Sequence, residues 1–251
     1  MSEHDQIKLN LDEIRKRAIA AADRAGRDPK EITLIAVSKL NPADSVCIAA
    51  ENEQYEFGEN WVKELLDKQI EVNDYFSTKS PQTAAKIKWH FIGHLQTNKV
   101  KQLIGKTELI HSVDSLKLAK VIDSESKKKD LITDILLEIN IAGEESKYGI
   151  RPEEAVAFTD SLAELSNIKI RGLMTVAPIC DDPDTNRPYF RKMRDLFVDI
   201  KSKNYDNIDM SVLSMGMTLD FETAIEEGAT HIRVGTGIFG ARDYGAKSES
   251  R

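Results

Sequence analysis

The segment ITLIAVSKLNPADSVCIAAENEQYEFGEN, residues 32–60, decides the fold because it contains a strand, a helix and a second strand in close succession. ITLIAVSK (32–39) and YEFGEN (55–60) are short runs rich in β-branched or aromatic residues, as expected of strands. Asn41-Pro42 precedes ADSVCIAAENE and marks the start of a helix. Strand, helix and strand joined by short loops form the βαβ unit of a parallel sheet.

Six further strand-like runs follow this unit along the chain. They are KWHFIGHL (88–95), LIHSVDS (109–115), DILLEIN (134–140), IKIRGLMTV (168–176), MSVLSMGM (210–217) and HIRVGTGIFG (231–240). Each is apolar enough for a strand that is covered on both faces, as parallel strands usually are.

The intervening segments have the period of helices. Apolar residues recur every three or four positions before a terminating Gly26, as in Leu11, Ile14, Ala18 and Ala21. Eight β/α units in 251 residues predict an α/β protein with a single (β/α)8 TIM barrel as its one domain, 1–251. An N-terminal helix occupies 1–31 in this prediction, and 241–251 form a polar tail. An open doubly wound sheet is the alternative.

Composition favours a globular protein with a small ligand. The chain is 41% hydrophobic and 31% charged, with a net charge of -7. This charge argues against nonspecific nucleic-acid binding, which requires clustered cations. There is no apolar run of membrane-spanning length, and the first residues lack the apolar core of a signal peptide. We therefore expect a cytoplasmic monomer that binds neither nucleic acid nor membrane.

Lys39 is the first candidate functional residue. It ends the first predicted strand, at the barrel end where functional groups gather, and alternation places it on the face of Ile35 and Val37. Above an apolar floor the ammonium form is disfavoured, so a larger fraction of the amine is neutral and can attack an aldehyde. The alternative is a lysine that simply extends into solvent.

The ends of the seventh and eighth strands predict an anion site. SMGMTLD (214–220) and RVGTGIFG (233–240) are turns of small residues, and the loops after these strands often bind phosphate in TIM barrels. Gly216, Gly235 and Gly237 allow backbone amides to converge on an oxyanion, and Ser214 and Thr236 add hydroxyl groups. Alternatively, these glycines serve only the turns.

Arg233 and Asn60 are two further candidates. Arg233 shares a strand face with Gly235, so it could contact a phosphate or a ring nitrogen; a surface ion pair near Glu226 or Glu227 is the alternative. Asn60 ends the second predicted strand, where its amide could bind a polar ring substituent or cap the next helix. No metal site is expected.

These segments together resemble the pyridoxal-phosphate homeostasis protein family, whose fold is that of the barrel domain of alanine racemase. The resemblance covers nearly the whole chain and is carried, in this order, by AVSKLNPADSV (36–46), YEFGENWVKEL (55–65), KWHFIGHLQTNKVK (88–101), IRGLMTVAP (170–178) and LSMGMTLDFETAIEEGATHIRVGTGIFGAR (213–242). The chain departs from the family at Thr218, where serine is usual, and at Trp61, where tyrosine or arginine is commoner.

The resemblance implies that the chain binds pyridoxal 5'-phosphate (PLP) as an internal aldimine on Lys39. It also implies which residues surround the phosphate or lie near the cofactor. Ser214, Gly216, Met217, Gly235 and Thr236 would surround the phosphate, and Asn60 and Arg233 would lie near the cofactor. Members of the family maintain vitamin B6 balance and have no established catalytic reaction, so no residue is assigned a catalytic role.

Three functions remain open after the sequence. A PLP carrier could exchange the cofactor with apo PLP-dependent enzymes through an open face. A PLP-dependent racemase needs acid/base groups on both faces of the cofactor, and in alanine racemase a separate domain supplies the second. We expect no such domain in this chain, which favours the carrier. A sugar-phosphate barrel enzyme without PLP is the third possibility.

Overall fold

Eight parallel strands form a closed barrel, in which each strand pairs with the next along the chain and the last pairs with the first. The structure is a computed structural model, and it describes residues 2–203 and 205–241. The closed order confirms the predicted TIM barrel, and the open doubly wound sheet is wrong. Of the predicted polar tail, residues 242–251 lie outside the described residues.

The strands are short, and each overlaps one of the predicted runs, although the fifth and seventh strands begin before their runs do. They are β1 (Thr33–Val37), β2 (Glu56–Glu59), β3 (Lys88–Phe91), β4 (Leu109–Val113), β5 (Thr133–Glu138), β6 (Ile168–Met174), β7 (Ile208–Ser214) and β8 (His231–Val234).

Helices surround the barrel on its outer face. They are α1 (Glu3–Arg24), α2 (Ala43–Glu51), α3 (Val62–Lys79), α4 (Pro81–Ala84), α5 (Val100–Leu103), α6 (Leu116–Lys128), α7 (Ala155–Ser161), α8 (Arg187–Lys201), α9 (Phe221–Glu226) and α10 (Thr236–Phe239). Within the described part of the chain, none of them combines the length and the apolar character that a bilayer crossing requires.

The first helix begins at a capping box and packs along the barrel. The Ser2 hydroxyl accepts a hydrogen bond from the Asp5 amide, and the Asp5 carboxylate accepts one from the Ser2 amide. The predicted apolar stripe is buried, which confirms the helix periodicity. Asn10 Nδ2 donates to the carbonyl oxygen of Ile238 at 2.8 Å, so α1 contacts α10 directly.

The predicted strands run too far at their C-terminal ends. β1 ends at Val37 rather than at Lys39, and β8 ends at Val234, after which TGIF forms α10. The amides of Ile238 and Phe239 both donate to the Gly235 carbonyl oxygen, which closes a helical turn. Apolar residues continue past the strands because the loops there also pack against the barrel, and hydrophobicity alone does not locate the end of a strand.

Candidate functional site

A cavity of about 940 Å³ lies at the C-terminal ends of the strands. Its volume falls within the range of sites for small molecules and cofactors. Six of the eight residues predicted for the site line this cavity, namely Lys39, Asn60, Met217, Arg233, Gly235 and Thr236. Ser214 and Gly216 do not line it: Ser214 is fully buried below the cavity, and Gly216 shapes the turn beside it.

Lys39 lies in a turn, two residues after β1, and not in the strand as predicted. The Asn41 amide donates to the Ser38 carbonyl oxygen at 3.0 Å, and this bond closes the turn. Leu40 adopts a φ of 66°, which is uncommon for a residue other than glycine. Val37 lines the cavity together with Lys39, whereas Ile35, the other residue of the predicted apolar floor, does not.

A buried ion-pair cluster holds this turn from below. Lys68 Nζ donates to the Ser38 carbonyl oxygen at 2.7 Å, to Glu59 Oε1 at 2.7 Å and to Glu64 Oε1 at 2.8 Å. The Ser38 hydroxyl donates to Glu59 at 2.6 Å, and the Leu40 amide donates to Glu64 at 2.6 Å. Both flanks of Lys39 are therefore tied to α3 and to the end of β2.

Sequence reasoning missed this cluster, although a signal was present. Glu64 and Lys68 have the i, i+4 spacing of a helical ion pair. Burial raises the pKa of Glu59 to about 7, and the nearby Lys68 ammonium opposes this rise.

Asn60 follows β2 directly and lines the cavity. Its Oδ1 atom is buried and has no hydrogen-bond partner among the described residues. Helix α3 begins at Val62 without a side-chain cap, so the alternative role of Asn60 as a helix cap is wrong. A Cβ atom on Gly93 would lie 2.3 Å from the Asn60 carbonyl oxygen, so only glycine allows this close approach of the two loops.

The turn after β7 packs closely against α9. Gly216 has a φ of 92°, and a Cβ atom there would lie 2.6 Å from the Ala224 Cβ and 2.9 Å from the Phe221 Cα. The Met217 amide donates to Asp220 Oδ1 at 2.6 Å. Glycine is therefore required both by the backbone conformation and by the packing.

The turn after β8 meets the turn after β7 at the cavity. The Thr236 hydroxyl donates to the Thr218 hydroxyl at 3.2 Å, and the Gly237 amide donates to the same oxygen at 3.3 Å. Thr218 and Thr236 both line the cavity. The two glycine-containing turns predicted to form one anion site are thus adjacent in the structure.

Arg233 lies at the bottom of the cavity and is buried. Its Nη1 donates to Ser214 Oγ at 2.6 Å, and its Nη2 donates to the Thr175 carbonyl oxygen at 2.7 Å. Burial lowers the pKa of Arg233 to about 10, and Asp220 and Glu138 oppose this effect. The group therefore keeps its positive charge at neutral pH.

The alternative role for Arg233, a surface ion pair, is wrong. Glu226 and Glu227 instead pair with Arg187, whose nitrogens lie 2.8 Å and 2.9 Å from their carboxylate oxygens. Arg191 also contacts Glu227, at 3.0 Å.

Glu138, the last residue of β5, also lines the cavity and was not singled out from the sequence. Burial raises its pKa to about 7, Asp114 adds to the rise, and Arg233 opposes it. A carboxyl group with a pKa near neutrality can give or take a proton at physiological pH. The signal was an acidic residue at the C-terminal end of a barrel strand.

The mouth of the cavity has an exposed apolar rim. Ile179 and Leu219 are 88% and 63% exposed, and Trp61 and Tyr148 are also exposed. All four residues line the cavity. The Tyr148 ring stacks on the His94 imidazole with their centroids 3.8 Å apart. The described side chains thus leave the mouth in contact with solvent.

Because of two histidines in the barrel interior, we expect the free energy of unfolding to fall in acid. Burial lowers the pKa of His231 to about 3 and that of His111 well below its ordinary value. Between about pH 6.5 and these lower values the unfolded chain binds protons that the folded chain does not, so the free energy of unfolding falls as pH decreases.

We expect His231→Gln to reduce the slope of the free energy of unfolding against pH by about 1.4 kcal/mol per pH unit between pH 6 and 4. Urea unfolding at a series of pH values measures the slope. His4→Gln, at an exposed position on α1, is the control and should follow the parent protein. Equal slopes for the His231 variant and the parent would contradict this prediction.

Known proteins share the fold of this chain. The family model of the alanine racemase N-terminal domain matches residues 9–243, which places the chain in that class of barrel proteins. The chain is 41% identical to the pyridoxal phosphate homeostasis protein of Aquifex aeolicus, over 93% of this chain and 97% of that protein. The chain therefore belongs to the pyridoxal phosphate homeostasis protein family, and the resemblance found in the sequence is confirmed.

Solved structures agree with this assignment. PipY of Synechococcus elongatus, solved with PLP bound, has a TM-score of 0.78 at 32% identity and covers 94% of this chain and 100% of PipY. An alanine racemase of Clostridium difficile has a TM-score of 0.66 at 14% identity, and the match covers 93% of this chain and 56% of that enzyme. The likeness to the racemase concerns the fold alone.

Proposed function

We propose that the protein binds PLP as an internal aldimine on Lys39 and acts in PLP homeostasis. The observation that carries this proposal is that Lys39, Arg233 and the two small-residue turns border one cavity of suitable size. The names of the relatives and the PLP-bound PipY support the choice of ligand. PLP supplies an aldehyde that a neutral amine can attack.

The chain's own groups fit the polar groups of PLP. Gly235 and Thr236, with Thr218, form a small-residue wall suited to the phosphate. The Oδ1 atom of Asn60, which has no hydrogen-bond partner among the described residues, can accept a hydrogen bond from the ring hydroxyl group. Arg233 provides a permanent positive charge at the bottom of the cavity. Ser214 would act indirectly, because its hydroxyl contacts Arg233.

We further propose that the protein is a carrier and not an enzyme. Homeostasis proteins are its relatives, and the apolar rim leaves the cavity mouth accessible to another protein. Apo PLP-dependent enzymes are the recipients in this proposal. The chain acts as one domain, as a monomer and in the cytoplasm; gel filtration tests the monomer.

We expect Lys39→Ala to abolish covalent attachment of PLP, because the imine requires this amine. The parent protein incubated with PLP should absorb near about 420 nm, and borohydride should fix one cofactor on Lys39, as located by mass mapping. Lys63→Ala is the matched control, since Lys63 lines the same cavity. A label on another lysine would reject the assignment, and a colourless parent protein would favour a sugar-phosphate enzyme.

Cofactor transfer and proton exchange separate the carrier from the racemase. A carrier should activate an apo PLP enzyme faster than free PLP released into solution does. A racemase should exchange the α-proton of alanine or another amino acid in D2O, and this exchange should depend on Lys39. Exchange with turnover would replace the carrier proposal by the enzyme.

A further inference from the structure

A row of polar side chains crosses the barrel interior beneath the cavity. Glu56 Oε2 lies 2.8 Å from His90 Nε2, and His90 Nδ1 lies 3.0 Å from His111 Nε2. His111 Nδ1 lies 3.1 Å from Ser214 Oγ, which accepts from Arg233 Nη1 at 2.6 Å. The row thus connects the first residue of β2 with the arginine at the bottom of the cavity.

With both imidazoles neutral, the two ends of the row allow only one direction of its hydrogen bonds. A guanidinium group can only donate, so Ser214 Oγ accepts from Arg233 and its own proton is available to His111 Nδ1. At the other end an ionised carboxylate can only accept, so His90 Nε2 donates to Glu56 and His90 Nδ1 accepts. His111 then donates through Nε2 and accepts through Nδ1, which satisfies both neighbours.

The protonation states agree with this direction. The pKa of His111 lies well below its ordinary value because the ring is buried, so His111 is neutral and carries one proton. The pKa of Glu56 is lowered overall: burial raises it, and the hydrogen bond from His90 together with the nearby cationic groups, Lys88 among them, outweighs that effect. When His90 also carries one proton, each hydrogen atom of the row takes part in one hydrogen bond.

The interior of a TM barrel is usually filled by layers of branched apolar side chains. Here His90, His111 and Ser214 are buried in that space, at exposures of 2%, 0% and 0%. Buried polar groups are costly unless each finds a partner, and a satisfied row holds its members in one arrangement. An apolar layer would leave the Arg233 Nη1 proton without its partner.

We propose that His90, His111 and Ser214 are positioning residues that hold Arg233 in one orientation toward the cavity, and that Glu56 sets the direction of the row. The side chain of Glu56 is 25% exposed, so the end of the row remote from the cavity reaches solvent. Only the choice of PLP as the ligand that Arg233 contacts rests on the proposed function.

The first test uses the protein without cofactor. In ¹⁵N-labelled protein at neutral pH we expect both His90 and His111 to be protonated on Nε2. Glu56→Gln replaces the acceptor by an amide that can also donate, so both directions become possible and His111 should become a mixture of tautomers. His111 does not contact Glu56, and a local structural role for Glu56 would leave the His111 signal unchanged.

Glu108→Gln is the matched control, because Glu108 and Glu56 both pair with Lys88, at 3.2 Å and 3.6 Å, while Glu108 is not in the row. It should leave both imidazole signals unchanged. Protonation of His111 on Nδ1 in the parent protein, or an unchanged His111 signal in Glu56→Gln, would overturn the proposal whether or not the protein binds PLP.

The second test concerns the ligand. We expect Ser214→Ala and His111→Leu to weaken PLP binding about tenfold, or by about 1.4 kcal/mol, because each variant interrupts the row that holds Arg233. His111→Gln retains one donor and one acceptor and should bind within about threefold of the parent, even if it loses stability. Equal affinities of the leucine and glutamine variants would reject positioning. A parent protein without PLP affinity would instead reject the proposed function.

Discussion

Replacing Lys68 by methionine is expected to lower the free energy of unfolding by about 3–5 kcal/mol, because one partner of a buried ion pair is removed. Lys68 is nearly inaccessible, with its side chain 6% exposed, and Glu59 is fully buried. The variant leaves Glu59 without its ammonium partner and the Ser38 carbonyl oxygen without its donor. Urea unfolding monitored by circular dichroism measures the change.

The stability loss of Lys68→Met should also depend on pH. Loss of Lys68 raises the already raised pKa of Glu59 further, so this carboxyl group folds in its protonated form. A carboxyl group whose pKa is higher in the folded than in the unfolded state lowers the free energy of unfolding as pH rises, because the unfolded chain releases the proton first. The deficit of Lys68→Met should therefore be larger at pH 8 than at pH 5.

Two variants serve as controls for Lys68→Met. The double variant Lys68→Met with Glu59→Gln replaces the carboxyl group, which must be protonated on folding, by a neutral amide and should recover most of the loss. Lys128→Met breaks an exposed pair with Glu125 on α6 and should change stability by less than about 1 kcal/mol. If Lys68→Met were as mild as Lys128→Met, the cluster would not be holding the Lys39 turn.

Gly216→Ala is expected to destabilise the protein by about 2–5 kcal/mol, the sum of a positive-φ penalty and overpacking. The new methyl group would lie 2.6 Å from the Ala224 Cβ, so α9 and the turn before it must separate. Because this turn carries Met217 and Thr218 to the cavity, PLP affinity should fall by more than tenfold. Equilibrium unfolding and PLP titration measure the two effects.

Gly26→Ala is the matched control for this variant. Gly26 also has a positive φ, of 64°, but nothing lies within 4 Å of an added Cβ atom. It should therefore show the backbone penalty of about 1–2 kcal/mol alone and leave PLP binding unchanged. If both alanine variants lost the same stability, the close packing between Gly216 and α9 would not matter.

The sequence predicted the barrel and the location of the cavity because both follow from local patterns. Alternating strand-like and helical runs determine the order of elements, and residues after the strands lie at one end of a parallel barrel. This rule correctly placed Lys39, Asn60 and Thr236 around one cavity. It did not locate the strand ends, since apolar residues continue into the loops.

The remaining features depend on contacts between residues far apart in the chain. Arg233 was left with three possible partners because its alternation on β8 does not show that Ser214 and the Thr175 carbonyl oxygen lie beside it. Glu59 was not singled out because nothing near it in the sequence predicts its burial. Ser214 was assigned to the phosphate, whereas its hydroxyl in the structure bonds to Arg233.

Closure of the barrel has a consequence for protein synthesis. β1 is held on one side by β2 and on the other by β8, so the amine on the loop after β1 and the turn at Gly235–Thr236 come together only when β8 has docked. A ribosome-bound chain that ends before residue 231 carries Lys39 without the turn that we propose binds the phosphate. We therefore expect PLP binding to require a chain that includes β8. Truncated translation products should not compete for the cofactor.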